Sequence, residues 1–153
     1  MPHSFHLPDV AATTHLGRRL GRLLGPGSVV LLSGPVGAGK TSLAQGMLRE
    51  WVGVKGAPSP TFTLVHSYPG EVHHVDLYRL EAAEVAELGI EDLFSPTSRV
   101  LVEWPERARP LLPDEALEVS LSFEGEGRRV DLKGRGARYD SLLSRLGQGA
   151  GDP

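Results

Sequence analysis

The sequence predicts an α/β fold of three layers, in which a mostly parallel central sheet carries antiparallel hairpins at its edges. Three observations lead to this expectation. Segments with strand and helix patterns alternate along the chain, one short aliphatic run shows no polar alternation, and two strand pairs are joined by tight turns. An apolar run of this kind is typical of a parallel strand covered on both faces. The length of 153 residues is about that of one domain.

The first part of the chain is predicted to form a helix, a central strand and a second helix. Residues 9–24 carry leucines at helical spacing, Asp9 is a candidate N-cap, and Gly-Pro-Gly at 25–27 ends the helix. Ser28–Ser33 is the aliphatic run that predicts the central strand. After a glycine-rich turn, we expect a helix over Lys40–Trp51.

The middle of the chain is predicted to form a hairpin, a short helix and another strand. Thr61–Tyr68 and Glu71–Tyr78 have strand patterns and are joined by Pro-Gly, which is typical of a tight turn. A helix is expected over Glu81–Leu88, ended by Gly89. The apolar run Arg99–Trp104, which a proline follows, predicts a further strand.

The last part of the chain is predicted to form a second hairpin and a terminal helix. Ala116–Phe123 and Arg128–Lys133 alternate around a glycine-containing turn. A short helix is expected over Arg138–Leu146, and residues 146–153 are expected to form a flexible tail. Together these elements predict one domain over residues 1–153.

The composition excludes several classes of protein. A formal net charge of −3 argues against a protein that coats nucleic acid through an overall basic surface. The chain has no cysteine, which excludes disulfide scaffolds, thiolate zinc sites and cysteine nucleophiles. Its longest strongly apolar run, Val29–Leu32, is far shorter than a membrane span, and the N-terminus lacks a signal-peptide pattern. We therefore expect a cytoplasmic protein without a membrane segment.

The strongest functional signal is GPVGAGKT at Gly34–Thr41, which matches the phosphate-binding pattern G-x-x-x-x-G-K-[ST] between a predicted strand and a predicted helix. Glycines let backbone N–H groups surround an anion, and the N-terminal end of the helix favours negative charge. Lys40 supplies a positive charge to phosphate oxygens, and Thr41 supplies a hydroxyl to Mg²⁺. The expected nucleotide contacts in this segment are Gly34, Gly37, Ala38, Gly39, Lys40, Thr41 and Ser42.

The nucleotide is expected to be ATP or ADP rather than a guanine nucleotide. Switch-type GTPases recognise guanine with an N-K-x-D element, and this chain contains no asparagine. None of its three lysines is followed two residues later by aspartate. The sequence therefore favours ATP.

Two acidic residues are candidates for holding Mg²⁺. Asp76 and Glu103 each follow β-type residues, and the carboxyl ends of strands in an open α/β sheet present ligands at one edge. Mg²⁺ uses few carboxylates together with waters and phosphate oxygens. Either residue could instead be a solvated acid at a strand end. His73 and His74 are adjacent, so they point to opposite faces of a strand and are not expected to chelate a metal together.

Four further features allow two interpretations each. Ser59–Thr63 is either a γ-phosphate-sensing loop or the turn that enters a strand. Residues 71–92 carry seven acidic residues and one arginine, a net charge of −6, which fits a solvated face or a docking surface. Residues 125–146 carry six basic and three acidic residues, a net charge of +3, which fits a solvated hairpin or an RNA contact. Trp104 fits either packing or a partner surface.

These motifs resemble the bacterial ATPase family of the tRNA threonylcarbamoyladenosine modification machinery, the TsaE (formerly YjeE) family. The matching pieces are LSGPVGAGKTSLAQG, SPTFTLVHSY, HHVDLYRL, LGIEDLF and VLVEWPER. They cover residues from about 9 to 146 in the order and spacing of the family. The chain departs from the family at Pro35, where members usually carry an acidic residue; phosphate binding should persist, because this is a variable position of the loop.

The resemblance implies a P-loop NTPase-like fold and an ATPase that works in a complex. The implied partners are a threonylcarbamoyltransferase (TsaD) and its paralogous partner (TsaB), a heterodimer that modifies the adenosine beside the anticodon of tRNAs reading codons that begin with A. ATP hydrolysis would support repeated turnover of that assembly rather than perform the transfer, and tRNA would be contacted through the complex. The chain alone is expected to hydrolyse ATP slowly, because no arginine finger stands out in its sequence.

The resemblance also implies roles for individual residues. Glu103 would hold Mg²⁺ together with Thr41, and Asp76 would be the second acidic residue of the active site. Thr13, in the first helix, falls where the family has a nucleotide-contacting threonine. Gly136, before the last helix, is a candidate for the adenine side. The expected catalytic set is Lys40, Asp76 and Glu103, and the expected metal set is Thr41, Asp76 and Glu103.

Two other functions are compatible with the sequence. A small-molecule kinase also uses a phosphate loop, but it needs an acceptor pocket and an arginine-bearing lid; Arg107 and Arg109 lie among prolines without a long insertion. A regulatory module would bind nucleotide without turnover. Transfer to small acceptors, release of free phosphate and co-purification with the heterodimer distinguish the three functions.

Overall fold

Strands and helices alternate along the chain as the sequence predicts. The computed structural model describes residues 3–53, 65–78, 80–81, 84 and 87–148. The strands in these ranges are β1 (His3–Leu7), β2 (Val29–Ser33), β3 (Val65–Tyr68), β4 (Val72–Asp76), β5 (Arg99–Glu103), β6 (Ala116–Glu124) and β7 (Gly127–Arg135). The helices are α1 (Val10–Leu23), α2 (Lys40–Val52) and α3 (Ala137–Gln148). Short 3-10 turns cover Ile90–Leu93, Pro105–Arg107 and Arg109–Leu111.

One mixed sheet joins the seven strands in the order β1-β7-β6-β2-β5-β4-β3. The four middle strands, β6, β2, β5 and β4, run parallel to one another. At one edge β3 pairs antiparallel with β4, and at the other edge β7 and β1 continue the sheet in antiparallel pairs. This arrangement confirms the predicted parallel centre and the two predicted edge hairpins.

The central strand β2 is covered on both faces, which explains its uninterrupted apolar sequence. On one face, Val30 and Leu32 belong to a buried cluster that includes leucines of all three helices. On the other face, Val29 and Leu31 belong to a second cluster, which Ile90 and the 3-10 turns complete. The sheet is therefore the middle of three layers, as predicted.

Helices α1 and α2 cross closely at positions occupied by glycine. A Cβ on Gly17 would lie 2.3 Å from the carbonyl oxygen of Leu43, and a Cβ on Gly46 would lie 2.3 Å from the carbonyl oxygen of Thr14. No side chain fits at these distances, so the close approach of the two backbones requires glycine. The crossing holds α1 against the helix that follows the phosphate loop.

The structure corrects the prediction at both ends of the chain. The sequence analysis predicts no strand before α1, yet His3–Leu7 pairs with β7. This edge strand depends on a partner far away in sequence rather than on a long apolar run. The prediction that a flexible tail begins at residue 146 is wrong, because α3 continues to Gln148 and Leu146 is buried in the core.

Some predicted elements lie partly outside the described residues. They include residues 61–64 of the first hairpin, half of the helix expected over Glu81–Leu88, and residues 149–153 of the expected tail. The segment Ser59–Thr63 lies outside them as well. Among the helices that the structure does describe, none is both long and apolar enough to pass through a membrane.

Candidate functional site

The carboxyl ends of three parallel strands meet at one edge of the sheet. β2 ends at Ser33, β4 ends at Asp76 and β5 ends at Glu103. The strand register places Glu103 opposite Leu32 on one side and opposite Asp76 on the other. Glu103 therefore lies beside the strand that leads into the phosphate loop, and Asp76 lies one strand further out.

The loop after β2 has the backbone that its glycines predict. Gly34, Gly37 and Gly39 have φ angles of 146°, 86° and 102°. Residues with a Cβ rarely adopt such angles. A Cβ on Gly34 would also lie 2.5 Å from the carbonyl oxygen of Leu121 on β6. The loop therefore follows the edge of the sheet closely before Lys40 begins α2.

Lys40 is folded back onto its own loop. Its Nζ donates hydrogen bonds to the carbonyl oxygens of Gly34 and of Pro35, the second at 3.1 Å. The same Nζ lies 4.5 Å from the centroid of the Trp104 ring, within the range of a cation–π contact. Burial lowers the pKa of Lys40 below its usual value, and the carboxylates of Glu103 and Asp76 oppose this shift.

Thr13 of α1 lies against the phosphate loop. Its Cγ2 lies 3.5 Å from the position that a Cβ on Gly39 would take. The Thr13 side chain is buried, and its hydroxyl donates to the carbonyl oxygen of Asp9 at 3.3 Å. The first turn of α1 therefore forms one wall of the site.

Asp76 is partly buried beside the loop. Burial is the main cause that raises the pKa of Asp76 above its usual value. A hydrogen bond from the backbone N–H of Tyr78 to Asp76 Oδ1, 3.0 Å long, lowers this pKa, while the neighbouring Glu103 carboxylate raises it. Asp76 is thus a carboxylate that the protein surroundings alone do not fully stabilise.

Glu103 is almost fully buried and pairs with His74. The side chains of His74 and Glu103 are 1% and 4% exposed, and His74 Nε2 lies 2.6 Å from Glu103 Oε2. The adjacent His73 turns to the other face and pairs with Ser67 at 2.8 Å. The two histidines therefore point apart as predicted, but the role of His74 beside Glu103 has no counterpart in the prediction.

A cavity of about 470 Å³ lies between these elements, a volume typical of small-molecule sites. Eight of the predicted site residues line it: Thr13, Gly37, Gly39, Lys40, Thr41, Ser42, Asp76 and Glu103. Its wall also includes the β1–α1 connection and the turn between β6 and β7. The structure thus brings together most of the predicted residues around one space.

Three predicted contacts are not part of the cavity lining. Gly34 and Ala38 belong to the loop but do not line the cavity. The N–H of Ala38 donates to the carbonyl oxygen of Pro35 at 3.1 Å, a hydrogen bond within the loop itself. Gly136 lies away from the cavity, and a Cβ on it would lie 3.0 Å from Glu115. Because β7 runs antiparallel to β6, its first residue, Gly127, reaches the cavity and its last residues point to the opposite edge.

Two aromatic residues in the lining are absent from the predicted site. The rings of Tyr78 and Trp104 lie 4.7 Å apart, and Trp104 has a φ of 60° in the left-handed region. Trp104 directly follows the end of β5 and Tyr78 lies two residues after the end of β4, and this position behind the acidic residues is the signal that could have identified them.

Arg128 joins the phosphate loop to the β6–β7 turn. Its Nε and Nη2 donate to the carbonyl oxygen of Gly37 at 3.3 and 3.2 Å. Its guanidinium also lies 4.7 Å from the centroid of the Phe123 ring. No local pattern could have predicted this contact, because 91 positions separate Arg128 from Gly37.

The donor set fits a nucleotide bound with Mg²⁺. The loop presents backbone without side-chain obstruction, and Thr41, Asp76 and Glu103 offer the oxygen ligands that Mg²⁺ prefers. Within the described part of the chain, no three histidine, aspartate or glutamate side chains gather into a metal cluster. Mg²⁺ does not need one, because it keeps several waters and takes other ligands from phosphate.

The chain is similar in sequence to the members of one known protein family. The family model described as "Threonylcarbamoyl adenosine biosynthesis protein TsaE" matches residues 7–130. A protein of Nostoc sp. described as "tRNA threonylcarbamoyladenosine biosynthesis protein TsaE" is 41% identical over 130 residues, which are 80% of each chain. A protein of Synechocystis sp. with the same description is 44% identical over 119 residues, covering 72% of this chain and 74% of that protein.

A solved structure supports the fold independently. The crystal structure of YdiB from Bacillus subtilis superposes with a TM-score of 0.84 and covers 98% of this chain and 97% of its own. The sequence identity is 24%, so this similarity is evidence for the fold alone. It confirms the α/β architecture and the antiparallel edges of the sheet.

Proposed function

The chain belongs to the TsaE family of threonylcarbamoyl adenosine biosynthesis proteins, and from this premise we propose that it is a magnesium-dependent ATPase of tRNA threonylcarbamoyladenosine (t6A) modification. It would hydrolyse ATP to ADP and phosphate in a complex with the threonylcarbamoyltransferase TsaD and its partner TsaB, and support their turnover. The observation that carries the proposal is the single sheet edge at which the phosphate loop, Lys40, Asp76 and Glu103 line one cavity.

The phosphates would lie against the loop and the start of α2. Lys40 already has hydrogen-bond acceptors in the carbonyl oxygens of Gly34 and Pro35. A triphosphate would offer charged oxygens in place of these neutral carbonyls, and charge-assisted hydrogen bonds are about twice as strong as neutral ones. Lys40 would therefore exchange its loop contacts for contacts with phosphate.

The metal would be held by Thr41 together with one or both carboxylates. Asp76 and Glu103 face the same cavity from neighbouring strands. Partial burial raises the pKa of Asp76, and the Glu103 side chain is 4% exposed, so a cation between them would stabilise both carboxylates in their ionised form. When bound, Mg²⁺ would neutralise charge on the phosphate oxygens.

The adenine side would lie between α1 and the β6–β7 turn. Pro8 and Val10 line this part of the cavity from one wall, and Gly127 and Arg128 line it from the other. The Val10 side chain is 68% exposed, so it is available to an apolar ring. This assignment replaces Gly136 with Gly127 as the glycine nearest to the base.

The chain alone is expected to be a slow enzyme. Arg128, which lines the cavity, is engaged by the Gly37 carbonyl oxygen and by the Phe123 ring. In related nucleotide hydrolases, an arginine that reaches the transferred phosphate contributes roughly 10³–10⁵ in rate. Exposed apolar side chains at the mouth, Val10, Val36 and Tyr78, support a partner that covers the cavity.

The first test is release of phosphate from ATP by purified wild type, two site variants and two control variants. Lys40→Ala should abolish hydrolysis, and Glu103→Gln should lower it strongly because the volume is kept and the charge is lost. Lys133→Ala and Glu118→Gln are the matched controls, since both positions lie outside the cavity lining. Normal hydrolysis by Lys40→Ala would show that the site is wrongly assigned.

The second test measures phosphate release by the chain alone, with the TsaD–TsaB heterodimer, and with heterodimer and tRNA. We expect slow release by the chain alone and stimulation by the heterodimer. Fast release that neither addition changes would favour an autonomous enzyme. Phosphate transfer to a small acceptor instead of water would favour a kinase.

A further inference from the structure

We propose that His74 is a positioning residue that fixes the side chain of Glu103 for its metal. The proposal rests on the proposed function, in which Glu103 is a ligand of Mg²⁺. It starts from an observation that this function does not require: Nε2 of a fully buried histidine, 1% exposed, lies 2.6 Å from Oε2 of the buried Glu103 carboxylate.

The sheet brings the two residues together. His74 and Asp76 lie two positions apart on β4, so their side chains point to the same face. The register places Asp76 opposite Glu103 and His74 opposite Leu101 on β5. His74 therefore reaches diagonally across the pair of strands to contact Glu103, and Glu103 lines the cavity whereas His74 does not.

The hydrogen bond defines the form of the histidine ring. An ionised carboxylate accepts hydrogen bonds only, so His74 Nε2 must carry the hydrogen. His74 Nδ1 is buried and has no hydrogen-bond partner among the described residues. The hydrogen bond therefore sets the Nε2 edge of the buried ring against the Glu103 carboxylate.

The hydrogen bond engages one carboxylate oxygen, Oε2, and so fixes the rotation of the Glu103 side chain. Oε1 would then be the oxygen that binds a cation. In metal sites generally, partners behind a ligand orient it, and their loss costs roughly 10–100-fold in metal affinity or activity.

The opposite interpretation is that His74 only fills space and satisfies Glu103 in the folded chain. The two interpretations differ in what the variants do to Mg²⁺. His74→Gln keeps an N–H donor of similar reach, and His74→Leu removes the donor. His73→Gln is the matched control, because His73 lies next in sequence and contacts Ser67 rather than Glu103.

The experiment titrates a fluorescent ADP analogue against each variant in EDTA and at increasing Mg²⁺. We expect His74→Leu to need roughly 10–100-fold more Mg²⁺ for the same gain in ADP affinity. His74→Gln and His73→Gln should respond like wild type, and all forms should bind ADP equally in EDTA. A wild-type Mg²⁺ response in His74→Leu would overturn the proposal.

Two further readouts keep the test independent of folding and of the proposed function. A double variant, His74→Leu with Glu103→Gln, should need no more Mg²⁺ than Glu103→Gln alone; a further loss would show that His74 acts by another route. In wild type, ¹⁵N NMR of the imidazole should show a hydrogen on Nε2, and a ring without hydrogen on Nε2 would overturn the proposal. If wild type itself ignores Mg²⁺, the proposed metal site fails, which is a different result.

Discussion

Gly46 of α2 lies directly against Gly17 of α1, since a Cβ on Gly46 would come within 3.0 Å of the Gly17 Cα. The same Cβ would come within 2.3 Å of the Thr14 carbonyl oxygen. Thr13 lies one residue before Thr14 and lines the cavity, so this contact holds one wall of the site against the helix that follows the phosphate loop.

Gly46→Ala should destabilise the protein. Alanine is favoured over glycine by about 1 kcal/mol inside a helix, but the added Cβ forces α1 and α2 apart, and such overpacking costs about 1–3 kcal/mol. Urea unfolding measures the difference in the free energy of unfolding between the variant and wild type. Gly147→Ala in α3 is the control, because a Cβ there would meet its nearest atom at 3.9 Å, and this variant should be as stable as wild type or more so. An equal gain in stability in both variants would contradict the close crossing of α1 and α2.

Asp76→Asn should make the ligand-free chain more stable at neutral pH. Burial raises the pKa of Asp76 above its ordinary value of 3.8, so the ionised carboxyl is less favourable in the folded chain than in the unfolded chain. Wild type therefore loses stability as pH rises from 3.8 through the raised value, and the asparagine variant does not. Asparagine also keeps the oxygen that accepts from Tyr78.

Urea unfolding in EDTA at several pH values tests this expectation. The two proteins should be nearly equal in acid, and the variant should gain its full advantage above the native pKa. The same variant should lose ATP hydrolysis, which would make Asp76 a residue kept for activity at a cost in stability. A variant that is less stable than wild type at neutral pH would contradict the expectation.

Arg128→Ala should weaken nucleotide binding without unfolding the chain. The change removes two hydrogen bonds to the Gly37 carbonyl oxygen and the contact with the Phe123 ring, so the loop loses its tie to the β6–β7 turn. Gly37 is exposed, so the expected loss is that of an ordinary hydrogen bond, about 0.5–1.5 kcal/mol, which corresponds to roughly 2–13-fold in affinity. Calorimetric titration with ADP measures it.

Arg145→Ala is the control for Arg128→Ala. Arg145 is exposed on α3 and lies outside the cavity lining, so its variant should bind ADP like wild type. Equal losses in both variants would indicate a general effect of charge rather than the specific contact with Gly37.

Asp9→Ala should destabilise α1 at the edge of the site. Asp9 is the N-cap, and its Oδ1 accepts from the backbone N–H of Ala12 at 2.8 Å. Loss of such a cap costs about 0.5–2 kcal/mol. Asp9→Ser keeps a capping oxygen and should retain most of the stability in thermal unfolding. If both variants unfold at the same temperature, the cap contributes little here.

Elements that are set by local pattern could be predicted from the sequence. The N-cap Asp9, the buried strand β2 and the loop glycines follow from residue type and spacing, and the structure places them as expected. The acidic residues Asp76 and Glu103 follow from their position at strand ends. Their convergence on one cavity needs only the rule that parallel strands end at the same edge.

Features that depend on pairing between distant segments could not be predicted in this way. Strand β1 forms because its backbone pairs with that of β7. Gly127 begins β7 and Gly136 directly follows its last residue. Only the antiparallel direction of β7 decides that Gly127 is the glycine at the cavity. The pairing of His74 with Glu103 likewise depends on the register between β4 and β5, which no local pattern specifies.

The contact between Gly37 and Arg128 has a consequence for synthesis of the chain, because it joins positions 91 residues apart. A ribosome adds roughly 5–20 residues per second, so the phosphate loop is made about 5–18 s before the arginine that ties it down. During that interval the loop and α2 exist without the wall formed by the β6–β7 turn. We expect stalled nascent chains to acquire tight nucleotide binding late, when the last hairpin has emerged from the ribosome.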